Sequence, residues 1–244
     1  MAAQDKLSKM KPQVYKDERP AEYFEGFHIR ARNKEPRIVY GLARLLMVPF
    51  TRILFRVEGY DNCNIPEGPV ILSPNHASNM DHFLVGQFVG KRKVRFMAKS
   101  QMFSGPMKWI YTFGGVFPVR RGLADEEAFK TARIIIAKGG LVLMYWEAGR
   151  SRTGLLQDPK PGVGRLALET GTPIVPVAIM GSERIRNWRR LQFPKVYVLV
   201  GEPIEVEQNL KATREEQQEL AERVAVDVAA LRHKLACRFN LDYA

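Results

Sequence analysis

The chain has 244 residues, enough for one domain with a sizeable core, and only two cysteines, Cys63 and Cys237, with neither metal-ligand spacing nor a framework partner. That excludes a disulfide-stapled scaffold and a cysteine-held metal, and free thiols suit a reducing compartment. The 38 Lys and Arg against 26 Asp and Glu give a formal charge of +12, so the expected partners are anionic: nucleic acid, a phospholipid surface or phosphorylated metabolites.

Residues 1–36 are rich in charge and poor in apolar side chains, and are expected to form a polar arm that packs weakly or folds back late. No basic start followed by an apolar block is visible, so a secretory signal is not expected and the chain is placed on the cytoplasmic side. Residues 37–56 are different. Ile38 to Phe55 is apolar, but Arg44 and Arg52 interrupt it and Pro49 falls near its middle. Two arginines would be costly inside a spanning helix. The segment is therefore expected to be an amphipathic, membrane-facing pair of short helices, with Arg37, Arg44, Arg52 and Arg56 reaching to headgroups. The same pattern fits an amphipathic helix packed on the core.

From residue 57 to 244 strand-like runs alternate with helical ones, which predicts an α/β domain with a mostly parallel mixed sheet flanked by helices. Strands are expected at Val70–Ser73, Val94–Met97, Val116–Val119, Leu141–Trp146, Ile174–Ile179 and Val196–Val200, with Pro176 tolerated at an edge or bulge. Helices are expected at Asp81–Val89, Pro106–Phe113, Asp125–Lys138 and Val163–Thr170, the last two stopped by Gly139 and Gly171. A final helix over 213–238 opens on the capping box Thr213–Glu216 and carries Leu220, Val224, Val228, Leu231 and Leu235 as one buried stripe.

The most informative segment is Asn75-His76-Ala77-Ser78-Asn79-Met80-Asp81, after the apolar run Val70-Ile71-Leu72. Residues five apart point about 140° away from each other on a helix and lie roughly 16 Å apart in a strand. His76 and Asp81 meet only if the chain turns after a strand and Asp81 opens a new helix, with Ser78 or Asn79 suited to cap it. A carboxylate behind the imidazole would fix its tautomer and leave the other nitrogen to take a proton from a substrate hydroxyl.

Three more motifs fall at the expected C-terminal ends of strands, where open α/β sheets hold ligands. Gly114-Gly115-Val116-Phe117-Pro118-Val119-Arg120-Arg121 ends in two guanidinium groups suited to phosphate oxygens. Glu147-Ala148-Gly149-Arg150-Ser151-Arg152-Thr153-Gly154 offers an acid, small residues and two more arginines. Val175-Pro176-Val177 lies within a buried run.

In order and spacing the four blocks resemble the glycerolipid acyltransferase family, especially bacterial 1-acylglycerol-3-phosphate (lysophosphatidate) acyltransferases, over about residues 40–205. His76 and Asp81 match its catalytic block, Gly114, Phe117 and Arg120 the second, Glu147 and Arg150 the third, and Val175-Pro176-Val177 the fourth. Lys99, in Met97-Ala98-Lys99-Ser100, looks like the family's basic residue between the first two. The resemblance implies transfer of an acyl group from a thioester, on acyl-carrier protein or coenzyme A, to the sn-2 hydroxyl of lysophosphatidate. It implies His76 as general base and Asp81 as its orienting partner, without a metal or redox cofactor. Asn75, Lys99, Gly115, Arg120, Glu147, Gly149 and Arg150 are the expected substrate-binding residues. Lys99, Arg120 and Arg150 would hold the phosphate, Glu147 would organise the arginines or bond a glycerol hydroxyl, and amides near Gly115 or the start of the helix after His76 would steady the oxyanion.

The third block departs from the family's usual Glu-Gly-Thr-Arg-Ser. Here it reads Glu147-Ala148-Gly149-Arg150-Ser151, with Trp146 in place of the usual proline. Ala148 restricts a backbone angle that glycine leaves open, and Gly149 removes a hydroxyl, so another lysophospholipid or a glycolipid remains an alternative acceptor. His28, His82 and His233 are expected to be structural. Lys91-Arg92-Lys93 and the segment 184–195, with Arg186, Arg189 and Arg190 around Trp188, are solvated faces that suit an anionic membrane surface or an acidic carrier protein. The competing class, a nonenzymatic basic binding protein for nucleic acid or membrane, leaves the His76–Asp81 pair unexplained, and no nucleic-acid motif is present. A hydrolase would need a nucleophile elbow, and Gly149-Arg150-Ser151-Arg152-Thr153 lacks its final glycine. The expected setting is a peripheral or monotopic enzyme on the cytoplasmic side of the cell membrane.

Overall fold

The computed structural model describes residues 17–121, 125–151, 153–185, 191 and 193–241. Helices α1 (Glu22–Asn33) and α2 (Ile38–Phe55) lead into β1 (Glu58–Tyr60) and β2 (Val70–Pro74). Then come α3 (Asp81–Gly86), β3 (Val94–Lys99), α4 (Met107–Phe113), β4 (Val116–Val119), α5 (Glu126–Ala137) and β5 (Leu141–Leu143). The chain ends with α6 (Gly162–Thr170), β6 (Ile174–Met180), β7 (Tyr197–Val200) and α7 (Arg214–Phe239).

The seven strands form one sheet in the order β1-β7-β6-β2-β5-β3-β4. Every neighbouring pair is parallel except β6 and β7. Alternation divides the core into two layers. Val70 and Leu72 of β2 face one way and pack with Phe55 of α2 and Leu84 and Val85 of α3. Ile71 faces the other way, with Ala132 and Ile135 of α5, Leu166 of α6 and Val224 and Val228 of α7. Each fully buried aliphatic side chain of this kind stabilises the fold by about 1.5–3 kcal/mol. The mostly parallel α/β sheet is thus the one the alternating pattern predicts, and α7 opens on the expected capping box at Thr213.

Pro176 lies on an interior strand, paired with Ser73 of β2, and the register around it explains why it is accommodated. Val177 pairs with Val200, but Ile174 bridges Ile204, so three steps along β6 match four along the other segment. That extra residue is a bulge, and the Pro176 carbonyl there still accepts from Gly201 N–H at 2.9 Å.

Two expectations for the N-terminal region are corrected. Residues 17–33 pack firmly: Arg19 donates to the carbonyls of Ser100 and Phe103, and α1 buries Phe24, His28 and Ala31 at helical spacing. The stripe is narrow and includes a histidine, whose Nδ1 meets Thr131 Oγ1 of α5 at 2.9 Å, so composition hides it. The first sixteen residues of the arm lie outside the described residues. Pro49 does not divide the second segment, because α2 is one helix through it. A proline removes one backbone hydrogen bond, but Tyr40 and Arg44 on one side and Thr51 and Phe55 on the other are held on the same face of the domain. By length and composition α2 could cross a membrane, with a mean hydropathy of 1.6 and 11% of its residues buried. That composition is compatible with membrane association.

Candidate active site

Strand β2 ends at Pro74, and the next six residues turn the chain into α3. The Asn75 amide donates to Ile179 O at 3.0 Å and accepts from Ile179 N–H at 2.7 Å, so it clips the turn to β6. Asn75 therefore fixes the loop, and it is buried outside the lining of the cavity that His76 faces. His76 is held by both of its backbone groups. Its N–H donates to Glu147 Oε1 at 2.9 Å and its carbonyl accepts from Ser151 N–H at 2.7 Å, which ties the first block to the third.

Asp81, fully buried, takes three donors on one oxygen. Its Oδ2 lies 2.8 Å from His76 Nδ1 and accepts the N–H groups of Ala77 and Ser78, also at 2.8 Å. Neither Ser78 nor Asn79 caps α3: the N-cap is Met80, without a side-chain bond, and Asp81 itself reaches back to the turn's amides. A carboxylate already accepting two amides is an acceptor toward the ring as well, so Nδ1 carries the proton and Nε2 presents a lone pair. The ring lies flat on Tyr145, with centroids 3.8 Å apart and planes 15° from parallel.

His76 opens into a cavity of about 670 Å³. Its walls are largely apolar, with Met47 and Val48 of α2, Phe96 of β3 and Ile110 of α4 among them, and Arg44, Lys99, Arg121 and Arg150 bring positive charge. The Arg150 guanidinium donates to Asn79 Oδ1 at 2.6 Å, which sets it directly over the turn that carries His76.

The remaining expected residues divide. Lys99 and Arg150 line the cavity with the dyad. Arg120 does not: its N–H and its guanidinium both turn to Asp125 Oδ2, at 2.7 and 3.5 Å, and the next residue, Arg121, lines the cavity instead. Gly115 is buried away from it, at φ 89°, where an added Cβ would stand 2.6 Å from Pro36 and 2.8 Å from Arg95, and its carbonyl accepts from Arg95 Nε. The glycine is needed for that close approach rather than for an oxyanion. Gly149 is buried too, its carbonyl 3.5 Å from Gln157 Nε2. Glu147 organises the histidine's backbone instead of the arginines. Burial pushes its carboxyl up to about 7, against the bond from His76 N–H and the field of Arg232 on α7. Arg152 and the Arg186–Arg190 cluster with Trp188 lie outside the described residues.

Sequence reasoning passed over Tyr145, carried Arg120 rather than its neighbour Arg121 into the expected site, and read His82 as structural. Tyr145 follows β5, which stops at Leu143 rather than running to Trp146, and no pattern marks it as the surface under the histidine. His82 lines the cavity beside His76, and burial lowers it to about 4, so it stays neutral near pH 7.

The Acyltransferase family model matches residues 54–180, a span that contains all four blocks. The chain belongs to this family. A chloroplastic 1-acyl-sn-glycerol-3-phosphate acyltransferase of Arabidopsis thaliana is 29% identical over 146 residues, 59% of this chain and 40% of that protein. A probable 1-acyl-sn-glycerol-3-phosphate acyltransferase of Mycoplasma genitalium is 28% identical over 124 residues, 48% of this chain and 46% of that protein. The matched span is less than half the length of either relative. The crystal structure of the 1-acyl-sn-glycerophosphate acyltransferase PlsC of Thermotoga maritima shares the fold, with a TM-score of 0.59 and 23% identity, and covers 88% of this chain and 89% of its own.

Proposed function

We propose that the protein transfers an acyl group from a thioester, on acyl-carrier protein or coenzyme A, to the sn-2 hydroxyl of 1-acylglycerol 3-phosphate, giving phosphatidic acid for phospholipid synthesis. The observation that carries this reading is the His76–Asp81 dyad set at an apolar cavity that also presents Lys99, Arg121 and Arg150. Nε2 of His76 takes the proton of the acceptor hydroxyl as its oxygen attacks the thioester carbonyl carbon. The carbon–sulfur bond then breaks, and the proton passes from the imidazolium to the departing thiolate. Asp81 holds the ring and stabilises its charged form. The three cations hold the acceptor phosphate and so bring the hydroxyl to the ring. Written this way the reaction balances with no metal or redox group.

The exposed apolar face of α2 supports a peripheral or monotopic setting on an anionic membrane surface, which we assign to the cytoplasmic side. Ile38, Leu42, Leu45, Leu46 and Ile53 are exposed on a helix whose other side lines the cavity. The Ala148-Gly149 pair in the third block supports another lysophospholipid acceptor as the second reading. A radiolabelled transfer assay with lysophosphatidate and other lysophospholipids, on both thioester donors, tests the proposal. Nucleic-acid binding is measured beside it. Product from lysophosphatidate alone supports the reading, and nucleic-acid binding with no transfer to any acceptor ends it.

A further inference from the structure

A second cavity, of about 260 Å³, lies at the other end of β3 and β5 from the dyad. It is formed by the link between α1 and α2, the start of β3 and the turn after α5. Seven of its lining residues are Lys or Arg, against one acid, Glu35. Glu35 is already neutralised by Lys93 at 2.5 Å, and Arg32 by Glu127 of α5.

Most of the other cations are satisfied as donors but not as charges. Arg95, 6% exposed, gives Nε to Gly115 O at 2.9 Å and Nη2 to Ala31 O at 2.7 Å, both neutral carbonyls. Among the described residues no acceptor meets its Nη1. Arg92 likewise donates to Pro66 O and Gly68 O, and Lys138 to Arg32 O. Carbonyls orient a guanidinium without cancelling its charge, and a buried charge without a counterion is expensive. Burial draws Arg95 down to about 10, with Glu35 as the acid that opposes it. Lys34 and Lys91 stand exposed at the rim.

We propose that this cavity binds a phosphate group, with Arg95 at its floor and Lys34 and Lys91 at its rim. A tetrahedral phosphate, doubly charged as a monoester or singly charged as a diester, fits both the volume and the sign of the unmatched charge, and planar guanidinium groups recognise its oxygens. Two sources supply such a group: a soluble phosphate ester and the headgroup of an anionic phospholipid. Pro36 lines the cavity and Ile38 begins the exposed apolar face of α2, so a headgroup held here would leave its acyl chains beside that helix. Occupancy would also pin the link on which α2 is mounted. The site is distinct from the dyad's cavity and stands without the proposed reaction.

The test uses the full chain, its Lys34→Glu/Lys91→Glu variant, an Arg95→Lys variant, and Lys211→Glu/Arg223→Glu as a control of equal charge on the α7 side. Glycerol 3-phosphate is titrated by calorimetry, and phosphatidylcholine vesicles with or without phosphatidylglycerol are used for co-sedimentation. A soluble source gives saturable glycerol 3-phosphate binding that weakens about tenfold or more in the rim variant, and survives in the control and in Arg150→Ala. A lipid source gives no saturable binding of the soluble ester, and a phosphatidylglycerol-dependent sedimentation that the rim and Arg95→Lys variants lose while the control keeps it. Binding that follows Arg150 rather than the rim, or rim and control variants that behave alike, overturns the proposal.

Discussion

Asp81 Oδ2 and His76 Nδ1 are 2.8 Å apart, and the same oxygen takes two backbone amides of the turn between them. The carboxylate that holds the imidazole therefore also folds the loop that carries it. His76→Asn should lower transfer by a factor of about 10²–10⁴, the usual contribution of a general base. Asp81→Asn should leave a measurable residue of activity, because the imidazole remains but its tautomer is no longer enforced. Single-turnover rates with both variants check this, and near-normal turnover of His76→Asn would refute the mechanism. Incubation with donor alone should leave no acylated protein.

Exchanging cavity arginines for lysine keeps charge and loses the planar fork. Arg121→Lys and Arg150→Lys should each raise KM for the acceptor about tenfold with a smaller change in kcat. Arg120→Lys, whose partner is Asp125, should act on thermal stability instead. Steady-state kinetics beside melting curves separate the two classes, and an acceptor KM that responds to Arg120 but not Arg121 would reverse the assignment.

Glu147 gives a pH signature. Its carboxyl is raised from 4.5 to about 7, so between those values the folded state binds more protons than the unfolded one and stability falls as pH rises. The full shift corresponds to about 3 kcal/mol. His28 works in the opposite direction: burial lowers it from 6.5 to about 4, so its contribution is present above pH 6.5 and is lost as pH falls through 4. Urea unfolding from pH 4 to 8 should show a Glu147→Gln variant gaining relative to the parent as pH increases. Parallel curves would show that Glu147 titrates normally.

Ala148 sits at φ 51°, in the left-handed region that costs an L-residue about 1–2 kcal/mol. Ala148→Gly should stabilise the chain by up to about 1 kcal/mol, or about 2–4 °C in Tm for a domain of this size. A fall in Tm would mean that the alanine methyl makes a compensating contact.

For the proposed membrane contact, Leu42→Glu, Leu46→Glu and Ile53→Glu alter residues that are 53%, 68% and 75% exposed. The triple variant should keep its Tm and lose flotation with anionic liposomes. Equal flotation of variant and parent would remove α2 from the membrane contact.

The sheet was legible because buried parallel strands read as unbroken apolar runs such as Val70-Ile71-Leu72 between helical periods. The dyad was legible because five-residue spacing is useless in a regular element and useful only across a turn. What stayed hidden depends on which way a side chain points once a strand has ended. Arg120 and Arg121 are chemically identical neighbours, and only the position of Asp125 decides which of them turns away from the cavity. Tyr145 became the bed of the imidazole because β5 stops at Leu143, three residues before the end of its apolar run at Trp146. Strand β1 has three half-buried residues, too short a run to show any alternation.

Helix α2 has one side on the cavity and the other uncovered, so the partition between the reaction chamber and the surroundings is a single helix, about 10 Å thick. On a bilayer, a long-chain acceptor would reach His76 by lateral diffusion past the edge of this helix, without passing through bulk water. The relevant concentration is then a mole fraction in the plane of the lipid. Diluting the acceptor with inert phospholipid at constant total amount should slow the enzyme, whereas enlarging the aqueous volume around the same vesicles should not once the protein is bound.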